Sequence, residues 1–390
     1  MPGRAAARND ALAGNAEGIA CLIRRYPDLV FSRFCRKRRR DRVLDPTENR
    51  PAWLPPGHPP VLAVVVDTEE EFDWSRPFSR GATATATIGA QRLAHARVFE
   101  RLGIVPTYVV DWPVATTASA IEPLKALMDE GRCEIGTHLH PWVSPPHVED
   151  VNTHNSYTGN LPAQLEFDKL ERLTLAIEEN FGRRPTMFKA GRYGLGPHTA
   201  AALVRLGYQI DASIVPQTSF RADSGPDFTG FDNQPFWFGP RAAPLLELPV
   251  TAAFCGWLAG LGPRLHSALS APMARALRLG GIAARSRALE RIRLTPEGCD
   301  AAEMIRLARS LVRAGQQVFT LTYHSPSLAP GHTPYVRSAA ELERFLGDLV
   351  TVCNFFRDEL GGVFMSCSTI RDAMIDYRND TSGNAPSDRD

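Results

Sequence analysis

The sequence predicts an α/β protein built as a distorted (β/α) barrel with seven or eight parallel strands. Three observations carry this. Short continuous apolar runs such as "VLAVVVD" (61–67) mark strands buried on both faces. Stretches with helical spacing alternate with them some seven or eight times along the chain. Single polar residues, namely Asp67, Asp111, His138, Asp211 and His324, stand at or near the C-terminal ends of different strands. That is the face on which a β/α barrel gathers its active site. No GxGxxG follows the first strand, which argues against an open dinucleotide-binding sheet.

Each element follows from the same pattern. The strand at 61–67 leads to a helix over 89–103, where Leu93, Ala96, Phe99 and Leu102 share one face. The strand "IVPTYVVD", a helix near 121–130 and the strand "CEIGTH" come next. Helices at 163–181 and 198–206 lead to the strands "TMFKAG" and "YQIDASI". The strand "LLELPV" (245–250), a helix at 301–314, the strand "QVFTLTYH" (317–324), a helix at 339–359 and the strand "GVFMSCS" complete the alternation.

With 390 residues, 44% of them hydrophobic, the chain supports a large core. A formal net charge of +1 gives no sign of a nucleic-acid partner. The seven cysteines are odd in number and irregularly spaced, as expected of reduced thiols rather than a disulfide framework. The first residues show no apolar run with a small-residue cleavage site, and no stretch is apolar enough to span a bilayer, so a cytoplasmic location is expected.

Three regions depart from the alternation. Residues 1–58 form a basic, Pro-rich extension containing "RFCRKRRRDR" (33–42). Residues 59–372 form the barrel, interrupted at about 257–296 by what reads as two short basic helices, with seven arginines against one acid, Glu290. Residues 373–390 read as a disordered polar tail. The basic segments 33–42 and 264–293 are either solvated or a peripheral contact with an anionic membrane or glycan.

The chemistry concentrates at the strand tips. In "VVVDTEEEFDW", Asp67 ends a buried strand and Glu69 shares its face if the chain stays extended. A carboxylate there is costly unless it is paired or binds a metal. In "EIGTHLHPW" (134–142), His138 and His140 also share a face. Two imidazoles and Glu69 make a ligand set for zinc or a similar divalent ion. His147 and His154 in the following loop are alternative ligands. His324 ends "VFTLTYH" and suits a general acid. In "FKAGRYGLG", Lys189 and Arg192 can steady an anion, and the glycines let a backbone N–H approach an oxyanion.

Taken in order over roughly residues 60–370, these motifs resemble the polysaccharide deacetylases of carbohydrate esterase family 4. The resemblance implies Asp67 as catalytic base, Glu69 and His138 as metal ligands and His324 as general acid. The family's second motif is usually His-x-x-x-His, but position 142 is Trp, so His140 would supply the second imidazole. Where the family has an Arg that orients the base, this chain has Lys189, with Arg192 near enough in sequence to take that role. Asp211 and Ser213 match a later strand. Trp74, Trp112, Trp142 and Tyr193 are candidates for contact with substrate or intermediate.

The expected cofactor is a divalent metal, with zinc the commonest choice. The expected activity is metal-dependent removal of an N-acetyl group from a sugar in polysaccharide or glycolipid metabolism. Two alternatives stand beside it: hydrolysis of a small amide or cyclic ureide C–N bond on the same scaffold, and non-catalytic glycan binding.

Overall fold

In a computed structural model, the structure describes residues 44, 49–73, 76–262 and 289–383. Twelve strands are present among them: β1 (Arg50–Pro51), β2 (Val61–Thr68), β3 (Thr107–Val110), β4 (Glu134–Leu139), β5 (Met187–Ala190), β6 (Ile210–Asp211), β7 (Phe236–Phe238), β8 (Leu245–Glu247), β9 (Ala252–Cys255), β10 (Glu290–Arg293), β11 (Val318–His324) and β12 (Val363–Phe364). The main helices are α1 (Ala118–Asp129), α2 (Ala163–Phe181), α3 (Thr199–Leu206), α4 (Ala301–Arg313), α5 (Ala339–Asp358) and α6 (Cys367–Gly383).

Ten strands form one mixed sheet in the order β1-β7-β8-β6-β5-β4-β3-β2-β11, with β12 pairing β2 off that path. The central run from β8 through β6, β5, β4, β3 and β2 to β11 is parallel throughout. β1 and β7 add an antiparallel edge. This is the expected α/β scaffold. Residues 250–251, which follow β8, bridge to Ile214 after β6 and to Thr320 of β11. Val250 N donates to Ile214 O at 2.9 Å, and Thr320 N donates to Thr251 Oγ1 at 2.8 Å.

Strand parity sorts the side chains into two layers. On β2, Leu62, Val64 and Val66 join the large cluster that packs under the helices, whereas Val61, Ala63 and Val65 face the interior. Val109, Met187, Ile210, Leu246 and Val318 fill the same interior from neighbouring strands. The interior is closed at one end by Cys367, Ile370 and Met374 of α6 and by Ala52 and Leu54. Parity then continues to the tips: Asp67, Lys189, Thr322 and His324 lie on the interior side.

Several boundaries differ from the expectation. The segment expected as an extension up to residue 58 already contributes β1 and the buried Ala52 and Leu54. Residues 290–293, expected within a basic helix, form a strand paired antiparallel to β9. The composition there is basic, but Ile292 and Leu294 alternate with Arg291 and Arg293, and that period of two decides. Residues 367–383, expected mostly as tail, form α6, because Ile370 and Met374 repeat at helical spacing and are buried. The basic stretch 33–42 and residues 263–288 lie outside the described residues. Among the described residues, no helix is long and apolar enough to cross a membrane.

Because α6 plugs the interior, Ile370→Ala is expected to cost about 2–5 kcal/mol. Chemical denaturation of the variant against the parent protein measures this. A loss below about 1 kcal/mol would mean that the plug is not part of the cooperative core.

Candidate metal centre and active site

The site begins with the Asp67–Lys189 pair. Lys189 Nζ donates to Asp67 Oδ1 at 2.5 Å, to Oδ2 at 2.7 Å and to Thr322 Oγ1 at 2.9 Å. β2 and β5 are three strands apart in the sheet, roughly 14 Å if it were flat. Contact across that span requires the sheet to curl around its interior. Burial alone would push the Asp67 carboxyl up, but Lys189 foremost, with His138 and His324, outweighs it and holds the group below its ordinary value. Asp67 is therefore an ionised carboxylate.

Next to it, Glu69, His138 and His140 converge. Glu69 Oε2 lies 3.4 Å from His138 Nε2 and 3.4 Å from His140 Nε2. Two ligand atoms about 2.0–2.2 Å from one ion at a tetrahedral angle stand about 3.4 Å apart. The donor set and its spacing therefore fit a divalent metal. The other nitrogen of each ring is already used. His138 Nδ1 donates to the Lys189 carbonyl at 3.0 Å, and His140 Nδ1 donates to Glu70 Oε2 at 2.7 Å. These bonds leave each Nε2 lone pair facing Glu69. Burial drives both imidazoles down to about 4, which favours the neutral, ligating form.

β4 ends at Leu139 and the chain turns at 141–143. His138, His140 and Trp142 all reach the same side. Trp142 stacks on His140 with ring centroids 4.3 Å apart and donates from Nε1 to Glu70 Oε1 at 2.8 Å. The residue that stands where the family has a histidine thus buttresses its substitute. Behind it, Lys169 of α2 donates to the carbonyls of Pro141, Ser144 and Pro146 and pairs with Glu149 at 2.9 Å, fixing the turn after His140. Gly191 is needed for the same packing: a Cβ there would lie 2.4 Å from His140 Cδ2 and 2.6 Å from Leu139 O.

His324 lies across the mouth. Its β11 position pairs in register with Asp67, and its Nε2 is 3.7 Å from Asp67 Oδ2. Glu297 holds it, accepting from Nδ1 at 2.7 Å and from the His324 backbone N–H at 3.0 Å. Burial opposes a charge on this ring, but Glu297, Glu69 and Asp67 outweigh it and raise the imidazolium well above its ordinary value.

Other expected residues fall elsewhere. Arg192 does not reach Asp67. Its Nη1 donates to Ser156 Oγ at 2.5 Å and its guanidinium lies over Tyr157 and Phe78, on the cleft wall. Arg192 and Tyr193 both have left-handed backbones, φ 53° and 60°, a strained turn that aims their side chains into the cleft. Asp211 is fully buried beneath the cleft, because Ile210 and Ala212 take the interior side and parity turns Asp211 outward. It accepts from Ser213 Oγ and sits beside Glu247 on β8. Trp112 starts a short helix and packs on the outer core. His147 and His154 are exposed and outside the cluster. Trp74 lies outside the described residues. Glu70 and Glu297 were not singled out by the sequence, which offers only a run of acids for the first and no spacing for the second.

No family model and no curated protein matches this chain. Solved structures do. A putative polysaccharide deacetylase from Mycobacterium smegmatis is 18% identical at a TM-score of 0.48, with 84% of this chain and 94% of that one covered. Puue allantoinase is 14% identical at 0.48, covering 87% and 97%. A probable polysaccharide deacetylase from Pseudomonas aeruginosa PAO1 is 13% identical at 0.46, covering 80% and 90%.

The support of His140 is open to test. Glu70→Gln is expected to weaken zinc binding about 10- to 100-fold by chelator competition, and Gly191→Ala to weaken it through the displaced ring, whereas His147→Ala leaves it unchanged. Equal affinity in all three would remove His140 from the ligand set. The motif residues Asp67, His138, Lys189 and His324 thus stand at the tips of a mostly parallel sheet.

Proposed function

We propose that this chain is a metal-dependent hydrolase that removes an N-acyl group, acetyl foremost, from a sugar. The observation that carries this is one cleft in which an ionised Asp67, a three-donor metal cluster and a carboxylate-held His324 face one another. When bound, a divalent ion such as zinc at Glu69, His138 and His140 supplies Lewis acidity to the acyl carbonyl and lowers the pKa of water.

The protein's own groups supply the rest. Asp67 accepts the proton of the attacking water, and Lys189 fixes that carboxylate and keeps it ionised. His324, proton-bearing through Glu297, gives its Nε2 proton to the departing amine nitrogen. The C–N bond breaks, the carboxylic acid and the free amine leave, and exchange with solvent resets both groups. The backbone of the turn at Arg192 and Tyr193 is the candidate donor to the oxyanion. Trp142, Tyr193 and Phe78 provide apolar faces for a ring.

A second reading has one observation in its favour. The cleft, about 370 Å³ and walled by seven aromatic residues, suits one compact ring better than a polymer. A small cyclic amide would fit the same chemistry.

Acetate release from N-acetyl sugars, against ring opening of cyclic amides, separates the two readings. Asp67→Asn is expected to lower kcat about 10²- to 10⁴-fold with zinc affinity retained. Chelation is expected to abolish turnover and zinc to restore it. Turnover that survives both treatments would take Asp67 and the metal out of the mechanism, and no turnover on either substrate class would leave only the non-catalytic reading. Glu297→Gln removes the main group that raises the His324 pKa. A general acid works below its pKa, so the alkaline limb of the kcat/KM profile is expected to move to lower pH. An unmoved limb would take His324 out of the acid role.

A further inference from the structure

We propose that the substrate carries a negative charge outside the acyl group that reacts, and that Arg293 reads that charge. The inference rests on the deacylase reading and names the class of its substrate.

Arg293 ends β10, beside the catalytic strand. The next residue, Leu294, donates from its N to Thr251 O at 2.8 Å, and its carbonyl accepts from Thr322 N at 3.1 Å. That places Arg293 next to the end of β11 that finishes in His324. Its side chain lines the same cleft as Asp67, His138, His140 and His324.

The other charged groups of the cleft are already matched. Asp67 is neutralised by Lys189. Glu69 belongs to the metal cluster. Asp223 faces Arg192 at 3.8 Å, and Arg76 pairs with Asp73 at 3.0 Å. Glu297 is taken up by His324 and by Ser327, whose Oγ donates to it at 2.5 Å. Arg291, two residues before Arg293 on the same strand, is held by the Pro216 carbonyl at 3.1 Å and by Thr218 Oγ1. Arg293 differs: half-buried, it makes no ion pair or side-chain hydrogen bond among the described residues. Tyr193 and Tyr335 line the cleft with it, and with Tyr193, Tyr335 and Cys299 the nearby Glu297, already bonded to His324 and Ser327, favours its charge without pairing with it.

A guanidinium that must give up water to a bound ligand loses free energy beside a neutral one. A carboxylate or a phosphate satisfies it with two parallel hydrogen bonds. Its place beside His324, the acid that serves the leaving amine, puts that anion on the amine portion of the substrate rather than on the acyl portion.

The test uses the zinc-loaded full chain with N-acetylglucosamine 6-phosphate and N-acetylglucosamine. Acetate release gives the ratio of kcat/KM for the two sugars. Calorimetry on the Asp67→Asn background gives their binding without turnover. The ratio is expected to favour the phosphate about ten- to hundredfold, to collapse in Arg293→Gln and to survive in part in Arg293→Lys, with thermal melts reporting folding. Arg293-dependent binding of the phosphate with no acetate released would uphold the anion site and sink the deacetylase reading. Equal use of the two sugars, binding of neither, or an Arg293→Gln loss that is the same for both would overturn the inference.

Discussion

The contact between Lys189 and Asp67 is the constraint on which the rest of the site depends. Both groups are buried, and a buried ion pair persists only when its geometry is good and its remaining donors are satisfied. Here Lys189 meets both carboxylate oxygens and Thr322, so three strands, β2, β5 and β11, are pinned from inside the curl. The pin sets the distance between the strand that carries Asp67 and Glu69 and the strand tip that carries Gly191. It also leaves Arg192 with a different task. Because a lysine already holds the carboxylate, Arg192 is released to the wall of the cleft, where Ser156, Tyr157 and Phe78 fix it.

Trp142 supports the neighbouring ring in a similar way. An i, i+2 pair on one strand brings two rings to one side with their centroids 4.6 Å apart. That is close enough for both Nε2 atoms to share Glu69 Oε2, but it leaves His140 without the strand geometry that supports His138. Glu70 and Trp142 supply the missing support, and Glu70 is in turn anchored through its backbone N–H to Asp111 Oδ2 at 2.7 Å. Asp111 also caps the following short helix by accepting from Val114 N, and with Glu70 and His140 it forms a second group of donors close enough to hold an ion.

Much of this was legible in the sequence because it follows from periodicity. Alternation put Asp67 with Glu69 and His138 with His140, whereas barrel closure and the motif resemblance, not spacing, pointed to His324; all five line one cleft. What failed did so for local reasons. Asp211 looks like another strand-tip acid, but its parity is the opposite one, which no motif reveals. Arg192 is two residues from Lys189, yet a left-handed turn intervenes and redirects it. Glu297 lies in a turn, "TPEGCD", 27 residues before its partner His324, and only the fold brings them together. Arg293 was hidden in a stretch whose composition suggested helix, although its period of two was visible.

The two carboxylate-bound histidines show how position turns one motif to two ends. In each, a glutamate accepts the Nδ1 proton at 2.7 Å and leaves Nε2 facing the cleft. His140 nevertheless remains neutral and His324 carries charge, and the difference lies in what surrounds the pair. Around His140, burial dominates and His138 adds to it. The carboxylates that act on it, Glu69, Asp111 and Asp67, do not outweigh that burial. Around His324, three carboxylates, Glu297, Glu69 and Asp67, act together against burial. The surroundings therefore favour a neutral ring at His140 and a protonated one at His324. The surrounding charges, more than the hydrogen bond that both rings share, decide which role each can play.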